Sequence, residues 1–393
     1  MYFIHYFGIF VTYSSTISCI IYIYIYMVLN HLPHAAIAAA IFASCSSSNT
    51  AADPESVATI DLTVPSQYSG EPLAADNLAA VVLDSEKQEA FFSRAVISDV
   101  IGDTILIHEN GRDSRVIEFS TSTGKYLGQI NHRGQGPEEY RVMLSAIADP
   151  STGTLLIPLI DRPAVLAYTL ATDSFAGEKS YIPAMRPSPA LGGVSSCINI
   201  PDMRPEGLIF MQYDGNFASV DSIVMEGFIP GNVSTYMGTA DNKGVIMVAD
   251  TLYNIMPGHL EQAVILSRGD KGITFDQEGD IMRKAIQEGA DETELMKPYI
   301  IVRDIQTTGN HIAVTTMRDG AKTTAIYRLS DGSLLYSNTY PDLSKKSCLT
   351  VNVDGKPVAV ENIFARNGHW YGLADESADG STNNILVSFT LHD

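Results

Sequence analysis

Short runs of alternating apolar and polar residues, separated by turns that contain glycine, recur along the chain from about residue 95 onward. In each unit an apolar strand is followed by a turn at a glycine, a second strand, an acidic residue or Asn, and a third strand that carries an aromatic residue. Four units follow this order, with turns at Gly102, Gly153, Gly309 and Gly368. Units of about 40 residues with short strands are typical of an antiparallel meander of about four strands.

The strand positions in these units predict blades of a β-propeller. We predict the first three strands of the four units at 96–100, 104–108 and 116–119; 143–148, 155–160 and 165–168; 299–305, 311–316 and 324–327; and 361–365, 370–374 and 385–389. Fourth strands follow in the first three units at 125–131, 177–182 and 334–340. The last unit has none, and residues 57–64 alternate in a way that predicts the missing strand. Such an exchange closes the ring and protects its edges.

The region from 181 to 298 has a weaker pattern, with strand-like runs at 208–213, 222–225, 245–249 and 263–266. Its length accommodates two further units, which gives six in total. Residues 280–295 carry a helical pattern and predict one short insertion. The prediction is therefore an all-β, six-bladed β-propeller of four-stranded antiparallel blades, formed as one domain by residues 57–393.

The N-terminal region has the pattern of an export leader. Its first 44 residues contain no Asp, Glu, Lys or Arg, and Cys45 follows a run of mostly Ala and Ile at 35–43. That run has the length of the apolar core of a secretory signal. We predict lipid modification of Cys45, with 1–45 as leader, 46–56 as tether and Met27 as a possible start. The alternative is a membrane anchor at 7–29. Both place the folded part outside the cytoplasm, and the lipid anchor places it in the cell envelope.

All 25 Lys and Arg and all 45 Asp and Glu follow Cys45, so the formal net charge of −20 belongs to the exported part. Binding to a nucleic acid through its phosphates requires a basic patch, and this sequence contains no Lys/Arg cluster. The charge therefore argues against a nucleic-acid partner. Of the remaining cysteines, Cys197 and Cys348 either pair in an oxidising compartment or are buried thiols.

Residues 133–140, Arg-Gly-Gln-Gly-Pro-Glu-Glu-Tyr, are the most distinctive local motif, and we call them the Gly-Pro segment. They follow Ile-Glu-Phe at 117–119 and Gly-Lys-Tyr-Leu at 124–127. A fourth strand that ends in a Gly-x-Gly-Pro-x-Glu-Tyr turn resembles the six-bladed β-propeller family common among lipoproteins of Bacteroidetes. The resemblance covers residues 57–180 well and the remainder only as blade periodicity, and Glu138 stands where the family commonly has a glycine. The resemblance implies a propeller fold and a location in the cell envelope, but the family has no assigned activity.

The Gly-Pro segment allows two interpretations. Gly134 and Gly136 permit positive φ and Pro137 fixes the following bend, so one interpretation is a rigid structural connection between the first two blades.

The other interpretation is a binding surface. Arg133, Gln135, Glu138 and Tyr140 would line one mouth of the ring, where the loops of several blades converge. An Arg, a carboxylate and a Tyr suit a polar ligand such as a sugar or a peptide, and they are equally able to satisfy one another.

Catalytic signals are poor. The acidic residues Asp161, Asp319 and Asp375 stand at unequal offsets from the turn glycines, which favours capping of strand ends. Histidines are too scattered to nominate a metal site, and no nucleophile has an identifiable base. We predict no catalytic residues, no metal and no cofactor. The predicted function is a monomeric binding or interaction module for an envelope protein, peptide or glycan. The alternative is a metal-dependent hydrolase or lyase acting in the propeller channel.

Overall fold

The structure is a computed structural model. It describes residues 57–64, 71–84, 86–92, 95–109, 114–143, 146–149, 152–159, 164–180, 187–190, 193–198, 207–214, 219–226, 235–241, 243–256, 258–341, 347–375 and 384–392. These residues belong to one compact unit, Glu55–Asp393. The predicted leader, Cys45 and the tether lie outside the described residues.

The described residues form 26 strands in six sheets. Blades 1 to 3 contain β3 (Ala95–Ile101), β4 (Thr104–Glu109), β5 (Arg115–Ser120) and β6 (Tyr126–Ile130); β7 (Ile147–Asp149), β8 (Thr154–Pro158), β9 (Ala164–Thr169) and β10 (Ser174–Ser180); and β11 (Pro187–Ala190), β12 (Gly193–Ile198), β13 (Gly207–Asp214) and β14 (Ser219–Glu226). Blades 4 to 6 contain β15 (Thr235–Ala240), β16 (Lys243–Val248), β17 (Thr251–Met256) and β18 (His259–Ser267); β19 (Ile301–Thr308), β20 (His311–Arg318), β21 (Ala321–Arg328) and β22 (Leu334–Tyr340); and β23 (Cys348–Val353), β24 (Lys356–Arg366), β25 (His369–Asp375) and β26 (Asn384–Thr390). Two N-terminal strands, β1 (Thr59–Asp61) and β2 (Asp76–Val82), extend blades 4 and 6.

The inner strands of the six blades form a closed ring. Successive contacts join β3 to β7, β7 to β11, β11 to β15, β15 to β19, β19 to β24, and β24 back to β3. Inner strands that surround a central channel define a propeller. The fold is a six-bladed β-propeller. The predicted fold class is confirmed, including the two blades between 181 and 298, and all four predicted turn glycines have positive φ.

Ring closure uses a different N-terminal strand from the one that the sequence predicts. The outermost strand of blade 6 is β2, which pairs antiparallel with β26, whereas Thr59–Asp61 pairs in parallel with β18 of blade 4. The prediction that residues 57–64 complete the last blade is therefore wrong. With β2 included, blade 6 has five strands. The additional strand is β23, which pairs with the first half of β24, while the second half of β24 pairs with β25.

Residues 57–64 and 71–84 form what we call the N-terminal strap. Ile60 is fully buried in the core that blades 4 and 5 share, and a Cβ at Gly332 in blade 5 would lie 2.5 Å from the carbonyl oxygen of Thr59. Further along, the Leu73 amide donates to the Thr350 carbonyl of blade 6, and the Asp84 amide to the Gly124 carbonyl of blade 1. The strap thus contacts blades 4, 5, 6 and 1 in turn.

Apolar side chains from adjacent blades pack together at the seams. Leu106 and Val116 of blade 1 share a core with Leu155 and Leu166 of blade 2. Similar clusters join blade 4 to blade 5, blade 5 to blade 6 and blade 6 to blade 1. These seams hold the ring together, because burial of apolar surface is the main favourable term in folding.

The helical insertion lies between blades 4 and 5 and consists of two helices. Helix α1 (Phe275–Glu288) begins at a capping box of Thr274 and Gln277, and α2 (Glu292–Met296) begins after Asp291. The single predicted helix over 280–295 is divided because Gly289 adopts a left-handed conformation that ends α1. Within the described part of the chain, no helix is both long and apolar enough to cross a bilayer.

Candidate functional site

The Gly-Pro segment follows β6 of blade 1 and folds back on itself. The amide of Gly134 donates to the Tyr140 carbonyl at 3.0 Å, and the amide of Tyr140 donates to the His132 carbonyl at 3.1 Å. These bonds form a parallel bridge between Arg133 and Tyr140. The segment therefore has a fixed backbone before it leads on to β7, the inner strand of blade 2.

Tyr140 anchors this backbone to the core of the protein. Its side chain is fully buried in the core shared by blades 1 and 2, and its hydroxyl donates to the Ser114 carbonyl at 3.0 Å. Burial raises the pKa of Tyr140, so the hydroxyl stays protonated as a donor. The structure therefore gives Tyr140 a structural position, and a ligand at the surface would meet the other predicted residues.

Glu139, which was not among the predicted site residues, accounts for the presence of glycine at positions 134 and 136. Its carboxylate accepts from the Gly136 amide at 2.7 Å. A Cβ at Gly134 would lie 1.9 Å from Glu139 Oε2, and one at Gly136 would lie 3.1 Å from its Cδ. Neither glycine is among the described residues with positive φ. The prediction that these glycines serve positive φ is therefore wrong, because both make room for the Glu139 carboxylate.

The outer side of the segment packs against blade 2. The Tyr168 hydroxyl donates to the Glu138 carbonyl at 2.7 Å, and the His132 ring stacks on Tyr168 with centroids 4.6 Å apart. His132 Nε2 lies 2.9 Å from the Asp173 carboxylate in the turn between β9 and β10. On β5, burial raises the pKa of Glu118 to about 7, and the negative charge of Asp173 adds to the shift.

Three of the predicted ligand-binding residues, Arg133, Gln135 and Glu138, are exposed, as is Pro137. Arg133 makes one long hydrogen bond, from Nε to the Arg141 carbonyl at 3.4 Å. The segment thus combines buried supports with exposed polar side chains, an arrangement that can present a surface with little loss of entropy on binding.

Among the side chains that the structure describes, which do not include those of Asp161 and Asp375, the residues considered for catalysis do not converge. Asp319 is exposed at positive φ beside Arg318, which agrees with a turn position. Asp161 lies outside the described residues. His108 is buried, and desolvation lowers the pKa of its imidazole to about 4, opposed by a backbone hydrogen bond at Met143. Across the described ranges, no group of three His, Cys, Asp or Glu residues is placed to hold a metal ion.

A second polar cluster, which the sequence interpretation missed, lies at the inner strands. Arg366 at the end of β24 is buried, and its Nη1 donates to the Asp241 carbonyl of blade 4 at 2.6 Å. Its Nε lies 3.4 Å from Asp99 Oδ1 of blade 1. The Asn367 amide donates to Asp241 Oδ1 at 2.5 Å, and the Gly368 amide to Thr308 Oγ1 of blade 5 at 2.6 Å. We call this cluster the channel latch; its members are Arg366, Asn367, Gly368, Asp241, Asp99 and Thr308.

Asp99 is the carboxylate of this latch. Burial raises its pKa to about 6, while the Arg366 guanidinium and a hydrogen bond from the Val100 amide oppose the shift. At neutral pH the carboxylate is ionised, so Asp99 and Arg366 form a buried ion pair whose side chains are each only 8% exposed. No local motif predicts this cluster, because its members come from four different blades.

Cys348 lies in β23, its thiol is buried, and Asn338 Nδ2 is 3.6 Å from its sulfur. Cys197 lies in β12 of blade 3, and its side chain is outside the described residues.

Comparison with known proteins agrees with the fold. Residues 95–185, which include blades 1 and 2, match the model of a family described as a 6-bladed beta-propeller, DUF5128. No protein of curated function matches the chain.

Two solved structures have the same architecture. A protein of Bacteroides fragilis NCTC 9343, described as exported, aligns with a TM-score of 0.59 at 15% identity over 85% of this chain and 99% of its own. A member of the DUF4221 family from Bacteroides vulgatus ATCC 8482 aligns with a TM-score of 0.52 at 10% identity over 81% of this chain and 97% of its own. At these identities the likeness is one of fold.

Proposed function

We propose that the chain is an exported, lipid-anchored β-propeller of the bacterial cell envelope that binds a polar partner through the Gly-Pro segment. The observation that carries this proposal is the division of roles within the segment. Glu139 and Tyr140 fix the backbone from within, while Arg133, Gln135 and Glu138 are exposed. A purely structural connection requires Glu139 and Tyr140, but it does not require the three exposed polar side chains.

The partner that suits this surface is a protein, peptide or glycan rather than a nucleic acid. Arg133 can donate to a carboxylate or hydroxyl, Glu138 can accept from a hydroxyl or amine, and Gln135 can do both. The net charge of −20 disfavours a polyanion. The propeller acts as a monomer in this proposal, with the exposed residues supplied by one copy.

The direct test is a binding screen of residues 46–393 against envelope glycans and peptides, followed by variants of the segment. Arg133→Ala and Glu138→Ala should each weaken binding of a hit by about 1.5 to 3 kcal/mol, roughly tenfold to 150-fold, because each removes a hydrogen bond made by a charged group. Both should unfold at the wild-type temperature within a degree or two, since surface changes rarely alter stability by more than about 0.5 kcal/mol.

Arg283→Ala is the matched control, because this exposed arginine lies on α1 in the insertion between blades 4 and 5. It should leave affinity unchanged. Full affinity in both segment variants would reject the binding role. Unfolding of both would instead assign Arg133 and Glu138 to the contact between the first two blades.

Lipid anchoring at Cys45 is tested in the full chain by metabolic labelling with a fatty-acid analogue. Wild-type protein should carry the label, as should Cys19→Ala, which changes the other cysteine of the leader, and Cys45→Ala should lose it. Each buried CH₂ of a lipid chain contributes about 0.8 kcal/mol to membrane binding, so the labelled forms should fractionate with membranes. Membrane-bound protein without label in the wild type would favour the alternative anchor at 7–29.

A further inference from the structure

The channel latch joins blades that are not neighbours. Blade 5 lies between blades 4 and 6 in the ring, yet Arg366 and Asn367 of blade 6 bond directly to Asp241 of blade 4. Since blades 4 and 6 are separated by the width of blade 5, these bonds must reach across the inner end of that blade. The turn after β24, the turn after β15 and the side chain of Arg366 therefore occupy this part of the channel.

All latch contacts lie at one end of the channel. Asp241 is in the turn between the first two strands of blade 4, Asn367 is in the equivalent turn of blade 6, and Thr308 ends the first strand of blade 5. Asp99 lies two residues before the end of β3. The inner strands of a propeller run in the same direction, so these positions share one end.

The Gly-Pro segment approaches the channel from the other end. It leads into the beginning of β7, whereas the turn that follows β7 lies at the latch end. On this basis we propose that Arg366, Asp99 and Asp241 close one mouth of the channel, and that a ligand of the channel would enter from the end at which the Gly-Pro segment lies. The part of this inference that concerns ligand access rests on the proposed binding function.

Several contacts hold the latch in place. Arg366 is held by an ion pair to the buried Asp99 of blade 1 and by a hydrogen bond to the carbonyl of Asp241 in blade 4, which is half-buried. Hydrogen bonds to charged groups are stronger than neutral ones. Two further hydrogen bonds, from the Asn367 amide to the Asp241 carboxylate and from the Gly368 amide to the Thr308 hydroxyl, fix the turn of blade 6 against blades 4 and 5. The elevated pKa of Asp99 agrees with a site from which water is excluded.

Amide hydrogen exchange of residues 46–393 tests the closure without any ligand. In the wild-type protein the Asn367 and Gly368 amides should exchange slowly although they lie in a turn. Arg366→Gln should accelerate exchange at 238–244 and 365–369 by about tenfold to a hundredfold, because a charged contact that holds these turns together is lost. Strands β4 and β5 should be unaffected. Arg328→Gln is the control, since this arginine donates to Asp331 and Ser333 within its own blade 5.

Asp241→Ala provides a second variant that leaves no buried charge behind. It removes the acceptor of the Asn367 amide and keeps the backbone carbonyl that Arg366 uses, so the Asn367 region should exchange faster. The turn at Asp241 should also exchange faster, because Asp241 has a φ of 56°, which alanine disfavours. Fast exchange of Asn367 and Gly368 in the wild type, or unchanged exchange in both variants, would overturn the closure. Because this readout requires no partner, such a failure is distinct from a failure of the Gly-Pro segment to bind.

Discussion

Ile60→Ala should lower the free energy of unfolding by about 2 to 5 kcal/mol, the range for removing a large aliphatic side chain from a packed core. Ile60 is fully buried where the N-terminal strap meets blades 4 and 5. The surrounding atoms cannot easily move to fill the cavity, because the backbones of Gly332 and Thr59 are already in close contact. A Cβ at Gly332 would lie 2.5 Å from the Thr59 carbonyl oxygen. Urea denaturation measures the effect.

Val64→Ala is the control, because this apolar side chain of the same strap segment is 57% exposed. It should change stability by no more than about 0.5 kcal/mol. Equal, small effects of both substitutions would mean that residues 57–64 are not part of the folded ring, and the account of the strap would be wrong.

Gly134→Ala should destabilise the protein by about 1.5 to 3 kcal/mol. The new Cβ would meet Glu139 Oε2 at 1.9 Å, so the Glu139 side chain must turn away. That movement breaks its charged hydrogen bond from the Gly136 amide, and bonds of this kind contribute about that amount. Positive φ plays no part, so the effect should depend entirely on Glu139.

A double-mutant cycle isolates that dependence. Glu139→Ala should destabilise by a similar amount to Gly134→Ala, and the double variant should be no less stable than Glu139→Ala alone, since the clash disappears with the carboxylate. Additive losses in the double variant would contradict this mechanism and would point to strain in the backbone of Gly134 instead.

Much of the propeller could be predicted from the sequence because each blade repeats a local pattern. The turn at Gly309 and the strand at Leu334–Tyr340 follow directly from alternation and from a glycine that adopts positive φ. These features depend on near neighbours in the chain. They need no knowledge of how the blades are arranged.

The closing strand could not be assigned in the same way. Residues 57–64 alternate because Ile60 and Leu62 are buried, yet their partner is blade 4. β2 is an outermost strand with mostly exposed side chains, so Asp-Asn-Leu-Ala-Ala-Val-Val lacks the alternation of a half-buried strand. The alternation of apolar and polar residues indicates which side chains are buried. It does not indicate the partner of the strand, because that partner can lie more than 300 residues away in the chain.

The candidate site was predicted in part. The Gly-Pro segment stands out in the sequence because of its composition, but the role of Glu139 depends on a carboxylate that bonds within the loop. One signal was present, since two consecutive glutamates follow the proline. The channel latch gave no local signal, because Asp99 and Arg366 are far apart in sequence and meet only when the ring closes.

The most direct test of the binding function is amide hydrogen exchange of residues 46–393 with and without a ligand identified in the screen. If the Gly-Pro segment is the binding surface, the ligand should slow exchange at residues 131–143, and Arg133→Ala should abolish this protection while Arg283→Ala keeps it. Protection confined to other blades, or protection at 131–143 that persists in Arg133→Ala and Glu138→Ala, would contradict the proposal.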